Sequence, residues 1–261
     1  MNVNFDGGPL DVVRVENSFI AADGVGEKTE RSLWQEGVTH WEDVVDCSIL
    51  GTRTHECVCE FVEEAKLELD AGNARFFADR FPSRSRWRLY ENFAEGACFF
   101  DIETTGLDAS RHVVTTVSFS RGDETTTLVR GDDLTREALE RELSAADLLV
   151  SFNGARFDVP FIEQEFGLSV ETPHLDLMYP CRRLDLTGGL KRIERDVGIE
   201  RELPDVDGLE AVRLWHRYEG GDDAALDRLV RYNREDVRTL RPLAETVVER
   251  LDRDVFEPYR R

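Results

Sequence analysis

Apolar and polar positions give the chain two textures. Up to about residue 95, short helical stretches are broken by glycine; after Gly96, strand-like and helix-like runs alternate. ACFFDIE (97–103) is apolar on both faces until its acids, which predicts a buried central strand. HVVTTVSFS and ETTTLVR are β-rich runs joined by Arg121-Gly122-Asp123, a hairpin pattern. Asp133 to Ser144 has helical period, with Leu139 and Leu143 inward. DLLVSF (147–152) predicts a second buried strand, followed by a turn at Asn153-Gly154 and a helix to about Phe166. A short strand surrounds Leu175. Helices are predicted at 188–197, 207–218 and 223–250, the last interrupted by Pro242. A three-strand meander followed by alternating helices and strands makes an α/β fold, a mixed sheet flanked by helices. The reading therefore divides the chain into a small, mainly helical region, 1–95, and an α/β domain, 96–261.

The first region begins extended from Leu10 to Val15. Phe19 and Ile20 precede a Gly24-Val25-Gly26 turn, and Leu33 and Trp34 follow it on a helix. Thr39 stands three residues before Glu42, a capping box for a helix carrying Trp41, Val44 and Val45. This order resembles a helix-hairpin-helix unit. The resemblance implies that backbone N–H groups at the hairpin meet a phosphate, with Gly24, Gly26 and Lys28 as substrate contacts. A plain helix–helix turn is the alternative. Further on, ARFFADRFPSRSRWRLY (74–90) holds five arginines and one acid, interleaved with aromatics. Guanidinium groups beside aromatic faces suit a single strand, through phosphate pairing and base stacking, so Arg84, Arg86 and Arg88 are candidate nucleic-acid contacts. The aromatics at helical spacing, Phe76, Phe77 and Phe81, read as core. His55, Cys57 and Cys59 would share one face of a strand and could accept Zn2+, but no second ligand pair exists; buried small residues are the simpler reading.

Composition adds a constraint. The chain has 261 residues and a net charge of −21, with only three lysines (28, 66 and 191) among its 33 basic residues. Acid excess with arginine over lysine points to a salt-rich cytosol, where dense salt screens carboxylate repulsion. An ordinary acidic protein from a GC-rich genome is the alternative. Hydrophobic content of 41% supports a real core, and no apolar run approaches the ~18 residues of a membrane span. No secretory signal is visible and the five cysteines show no disulfide spacing, so a reducing cytoplasm is expected. Taken whole, the charge argues against a polyanionic partner.

The placement of particular acids argues the other way. FDIETTGL sets Asp101 and Glu103 at i and i+2 at the end of a central strand, on one face. Folding does not ask for two acids side by side, whereas a divalent cation would relieve them. Asp158 stands in an otherwise apolar context, and YNREDVRTL puts Tyr232 and Asp236 on one helical face. Four carboxylates from separate segments plus a phenol fit a two-metal phosphodiester hydrolase.

The ordered set Asp101-Ile102-Glu103-Thr104-Thr105-Gly106-Leu107, Asn153-Gly154 through Asp158, and Tyr232-x-x-x-Asp236 resembles the DEDD superfamily of 3′–5′ exonucleases. The surrounding sequence is most similar to the YprB-type ribonuclease H-like branch, over about residues 96–250. That resemblance implies a ribonuclease H-like fold, two Mg2+ or Mn2+ ions, and single-stranded DNA or RNA as partner. It implies that Asp101 bridges both ions, that Glu103 and Asp236 complete the first site, and that Asp158 serves the second. Tyr232 would orient or help deprotonate the attacking water, and Leu107 would wedge against the terminal base. Thr104, Gly106 and Asn153 are candidate substrate contacts, and Asn153 also reads as a turn residue. Asp222 or Asp223 would cap the last helix, and His174 reads as a satisfied strand-end histidine. Two alternatives stay open: a nucleic-acid-binding module with little catalysis, as in a repair complex, and a nuclease for another phosphodiester such as a dinucleotide or a structured RNA end.

Overall fold

Residues 12–260 are described by a computed structural model. They group into two compact units, residues 12–92 with 248–260, and residues 93–247. Leu10 and Asp11 of the expected extended start lie outside the described residues.

The smaller unit is built from short helices on an aromatic core. A 3-10 turn at Val15–Asn17 leads into bends, and the first α-helix, α1, is Glu27–Gln35 with Gly26 at its N-cap. The glycine hairpin therefore has an α-helix on one side only. Gly24 takes φ +82°, a left-handed conformation that glycine adopts without strain. The stretch at Trp41–Asp46 is a 3-10 helix, and its cap differs from the Thr39/Glu42 expectation. The Asp43 carboxylate accepts the N–H groups of Thr39 and His40 at 2.9 and 2.8 Å, and His40 is the N-cap. Helix α2 (Thr52–Asp70) carries His55, Cys57 and Cys59, so the H-x-C-x-C run does not lie on a strand. His55 Nε2 instead meets the Val44 carbonyl at 3.1 Å.

Helix α3 (Ala74–Arg80) stops before Pro82, a 3-10 segment Ser83–Leu89 follows, and α4 is Tyr90–Phe93. Phe76, Phe77, Phe81, Trp87 and Tyr90 are all buried, so this segment's aromatics are core. The same winding turns Arg88 inward. Its side chain is 2% exposed and pairs at 2.9 Å with Glu30, itself 1% exposed. Arg88 is thus a structural cation and is unavailable to a polynucleotide. Arg84 is exposed and pairs with Glu27 at 2.9 Å, and Arg86 is half-buried.

The larger unit is a five-stranded mixed sheet in the order β3-β2-β1-β4-β5. Its strands are β1 (Ala97–Thr104), β2 (Val114–Arg121), β3 (Glu124–Val129), β4 (Leu148–Ser151) and β5 (His174–Asp176). β1, β2 and β3 form the expected antiparallel meander, while β4 and β5 join in parallel after helical crossovers. Cys98, Phe100 and Ile102 face one apolar layer with α5 (Arg136–Ser144) and α6 (Asp158–Phe166). Alternation sends Phe99, Asp101 and Glu103 to the opposite face. Then come α7 (Met178–Arg183), α8 (Leu190–Val197), α9 (Gly208–Glu219) and α10 (Asp223–Val255). α10 runs unbroken through Pro242, against expectation. A proline removes one helical N–H, but Leu240, Leu243, Ala244 and Val247 around it are buried, and that packing carries the helix across.

Candidate active site

The face of β1 that carries Asp101 and Glu103 meets α10. Tyr232, Asn233 and Asp236 occupy its first half, and residues one turn apart share a face. Asn233 Nδ2 donates to Asp101 Oδ2 at 2.8 Å, and its Oδ1 accepts from Thr116 Oγ1 at 3.0 Å. Asn233 thereby fixes the Asp101 rotamer from below. One carboxylate oxygen each from Asp101, Glu103 and Asp236 lie within 4.8 Å of one another, and together these three could hold a metal ion.

Asp158 arrives from the other side. Strand β4 pairs with β1 from Ala97 to Phe99 and no further, so the Ile102 N–H has no strand partner there. Asp158 Oδ1 accepts it at 3.1 Å from the first residue of α6. Gly154 lets this loop close up, because a Cβ there would stand 2.2 Å from Ser151 Oγ and 3.4 Å from Asp158 Oδ2. Asn153 takes φ 67°, and its N–H donates to Asp176 Oδ1 at 2.7 Å, so it is a turn residue here. Asp176 also accepts from Ala155 N–H and Met178 N–H at 3.1 and 3.0 Å, which organises the whole turn. Asp158 is not part of the tight three-acid set, but it lines the same open cleft of about 510 Å³.

The four acids strain one another electrostatically. Burial, followed by the charges of Asp236 and Asp158, lifts Asp101 and Glu103 well above the carboxylate range. Burial pushes Asp158 up to about 7 and Asp236 to about 6. Burial and then Asp236 raise the Tyr232 hydroxyl further above its ordinary value. These carboxylates are hard oxygen donors in excess charge, which is the chemistry that fits Mg2+ or Mn2+.

Two cations that the sequence did not single out complete the site. Arg201 is 5% exposed and ion-pairs with Asp236, with Glu194 at 2.8 Å and with Glu235 at 3.5 Å. Lys191 lines the cleft, its Nζ 4.7 Å from the centre of the Tyr232 ring. That Nζ is buried and has no hydrogen-bond partner among the described residues. A signal for Lys191 existed, since it is one of three lysines in the chain. Arg201 offered none, because its partner Asp236 lies 35 residues away.

Of the remaining candidates, Thr104 Oγ1 donates to the Gly106 carbonyl at 2.7 Å, and Gly106 packs on the His112 ring. Both shape the loop from which Leu107 projects, 86% exposed. His174 is satisfied by Ser151 Oγ at 2.8 Å. Gly24, Gly26, Lys28, Arg84, Arg86 and Arg88 belong to the smaller unit.

Comparison with known proteins agrees with this architecture. No curated protein matches the chain. Among solved structures, the family B DNA polymerase from the hyperthermophilic archaeon Pyrobaculum calidifontis is 20% identical, with a TM-score of 0.49. The match covers 61% of this chain and 25% of the polymerase, so the chain spans about a quarter of that protein's length. Brucella melitensis NrnC with bound Mg2+ is 20% identical, covering 65% of this chain and 81% of that one, with a TM-score of 0.45. NrnC bound to pGG is 21% identical over 63% and 78%, with a TM-score of 0.43. A family model described as RNase_H superfamily matches residues 98–248, the stretch that holds the sheet, all four acids and Tyr232, and the chain belongs to that superfamily.

Proposed function

We propose that this cleft is the active site of a metal-dependent 3′–5′ exonuclease of the Tyr-containing DEDD type, acting on single-stranded DNA or RNA. The observation that carries the reading is the set of three carboxylate oxygens within 4.8 Å, from buried Glu103 and Asp236 and half-buried Asp101, with Asp158 on the same cleft. In this reading Asp101, Glu103 and Asp236 would hold one Mg2+ or Mn2+, and Asp158 with Asp101 would hold a second. The ions supply water activation and stabilisation of the leaving oxygen.

The chain's own groups do the rest. Asn233 holds Asp101 at its correct rotamer, and Arg201 does the same for Asp236. The Tyr232 hydroxyl, raised by burial among acids, keeps its proton and orients the attacking water by a hydrogen bond. Lys191 Nζ lies over the Tyr232 ring with no hydrogen-bond partner among the described residues, and would turn to the substrate phosphate in the cleft. Leu107, on its exposed loop, packs on the terminal base. Arg88 has no part in this, and no step requires Gly24, Gly26, Lys28, Arg84 or Arg86.

The test uses 5′-labelled DNA and RNA oligonucleotides in high KCl with Mg2+, Mn2+ or chelator. Shortening from the 3′ end that needs metal and disappears in Asp101→Asn is the expected result. Metal-independent cleavage, or cuts within the strand, would overturn it.

A further inference from the structure

Two divalent ions carry four positive charges, which balance Asp101, Glu103, Asp158 and Asp236 and leave nothing over for the rest of a polyanion. The chain as a whole, at −21, repels nucleic acid. Phosphates beyond the scissile one therefore need local positive charge, and the cleft has it on one wall only. Helix α8 lines the cleft with Lys191, Arg192 and Arg195. Arg195 is one helical turn from Lys191 and so lies on its face. Arg195 is exposed and has no ion-pair partner among the described residues. Among the described residues Arg192 has only a loose contact with Asp196 at 3.7 Å, and both side chains are largely exposed. Such a pair contributes little to stability.

The backbone leaves room for the Arg192 stem. Gly188 takes φ +114°, and a Cβ on it would stand 2.8 Å from Arg192 Cδ. The arginine stem thus lies directly over the glycine, at the entry to α8. Neither arginine is needed for the core, and both border the same opening as the acids.

We propose that Arg192 and Arg195 form a phosphate track holding the linkages immediately 5′ of the scissile one. The track makes an oligonucleotide a better substrate than a dinucleotide or a simple diester. This inference rests on the nuclease reading. Guanidinium groups suit the task because their planar fork meets two phosphate oxygens at once.

The experiment compares wild type with the double variant Arg192→Gln, Arg195→Gln on a 20-mer and on thymidine 5′-p-nitrophenyl phosphate, a single diester. The loss in kcat/KM on the 20-mer should exceed that on the small diester at least tenfold. Binding of the 20-mer in Ca2+ across a KCl series should show a slope of log K against log salt smaller by about 1.4, for two single-strand phosphates. Neutral methylphosphonates at the two linkages 5′ of the scissile one should weaken wild type by the same factor and the variant no further. Arg192→Lys with Arg195→Lys should restore the slope. Equal losses on both substrates, an unchanged slope, or a methylphosphonate penalty undiminished in the variant would overturn the track while leaving the nuclease reading intact. A wild-type protein that cleaves neither substrate overturns both.

Discussion

Both units bury charged side chains, and they do so to opposite ends. In the smaller unit Glu30 and Arg88 are almost fully enclosed, and their charges are matched. Glu30 Oε1 accepts from Ser18 Oγ at 2.7 Å and from the N–H groups of Phe19 and Ile20 at 2.9 and 3.1 Å. Arg88 Nη1 donates to both Glu30 oxygens at 3.0 and 2.9 Å and to Ser18 Oγ at 2.6 Å. In the larger unit three buried acids and half-buried Asp101 line one cleft, and the nearby cations are Arg201 and Lys191. A buried charge is tolerated when paired, so the first arrangement explains itself as structure. The second is left with negative charge in excess, and a site that folding alone would not assemble points to ligands that arrive later. Arg201 is itself shared with Glu194 and Glu235, so it relieves the cluster only in part.

The contrast can be broken most severely at Asp101. Asp101→Asn should lower kcat by about a thousandfold, the scale of removing a preorganised electrostatic group, without lowering the melting temperature of the metal-free protein. A variant that unfolds instead would make Asp101 a structural acid like Glu30. The mirror experiment is Arg88→Ala, which strands Glu30 without a counter-charge. It should cost about 3–5 kcal/mol in urea unfolding. A loss below 1 kcal/mol would show that the pair does not hold the smaller unit together.

The pH dependence separates the two networks more finely. Burial raises Asp158 from its ordinary 3.8 to about 7. A carboxyl whose pKa rises on folding contributes stability below its unfolded pKa and loses it as pH rises through the folded value. In chelator, Asp158→Asn should therefore become increasingly more stable than wild type between about pH 4 and pH 7, with a level difference above. Mg2+ or Mn2+ should erase that advantage, because the ions replace the proton. An Asp158→Asn melting curve that tracks wild type at every pH would place Asp158 outside the charge-strained cluster. The smallest effect is expected at Tyr232. Tyr232→Phe should slow hydrolysis by about tenfold or somewhat more and leave the pH–rate profile unchanged in shape, since the hydroxyl does not titrate in the working range. A lost alkaline limb in the variant would make Tyr232 a base instead.

Much of the larger unit was legible because its signals are local. Asp101 and Glu103 announce themselves by alternation on an apolar strand, and Tyr232 and Asp236 by helical spacing. The hairpin at Gly122 is also short-range chemistry. What stayed hidden depends on contacts between distant segments. Arg201 reaches Asp236 across 35 residues, and Asp176 gathers three N–H groups that no sequence window contains together. Arg88 misled for the same reason, since its partner Glu30 lies 58 residues earlier and its neighbours in sequence are basic. Pro242 misled differently, because packing along α10 outweighs one missing hydrogen bond.

Anomalous diffraction from crystals soaked in Mn2+ tests the central claim most directly. Two peaks about 3.5–4 Å apart are predicted, the spacing of two-metal sites, one within Asp101, Glu103 and Asp236 and the other between Asp101 and Asp158. No peak at these acids, or a single ion that leaves Asp158 on the Ile102 N–H without a metal, would contradict it.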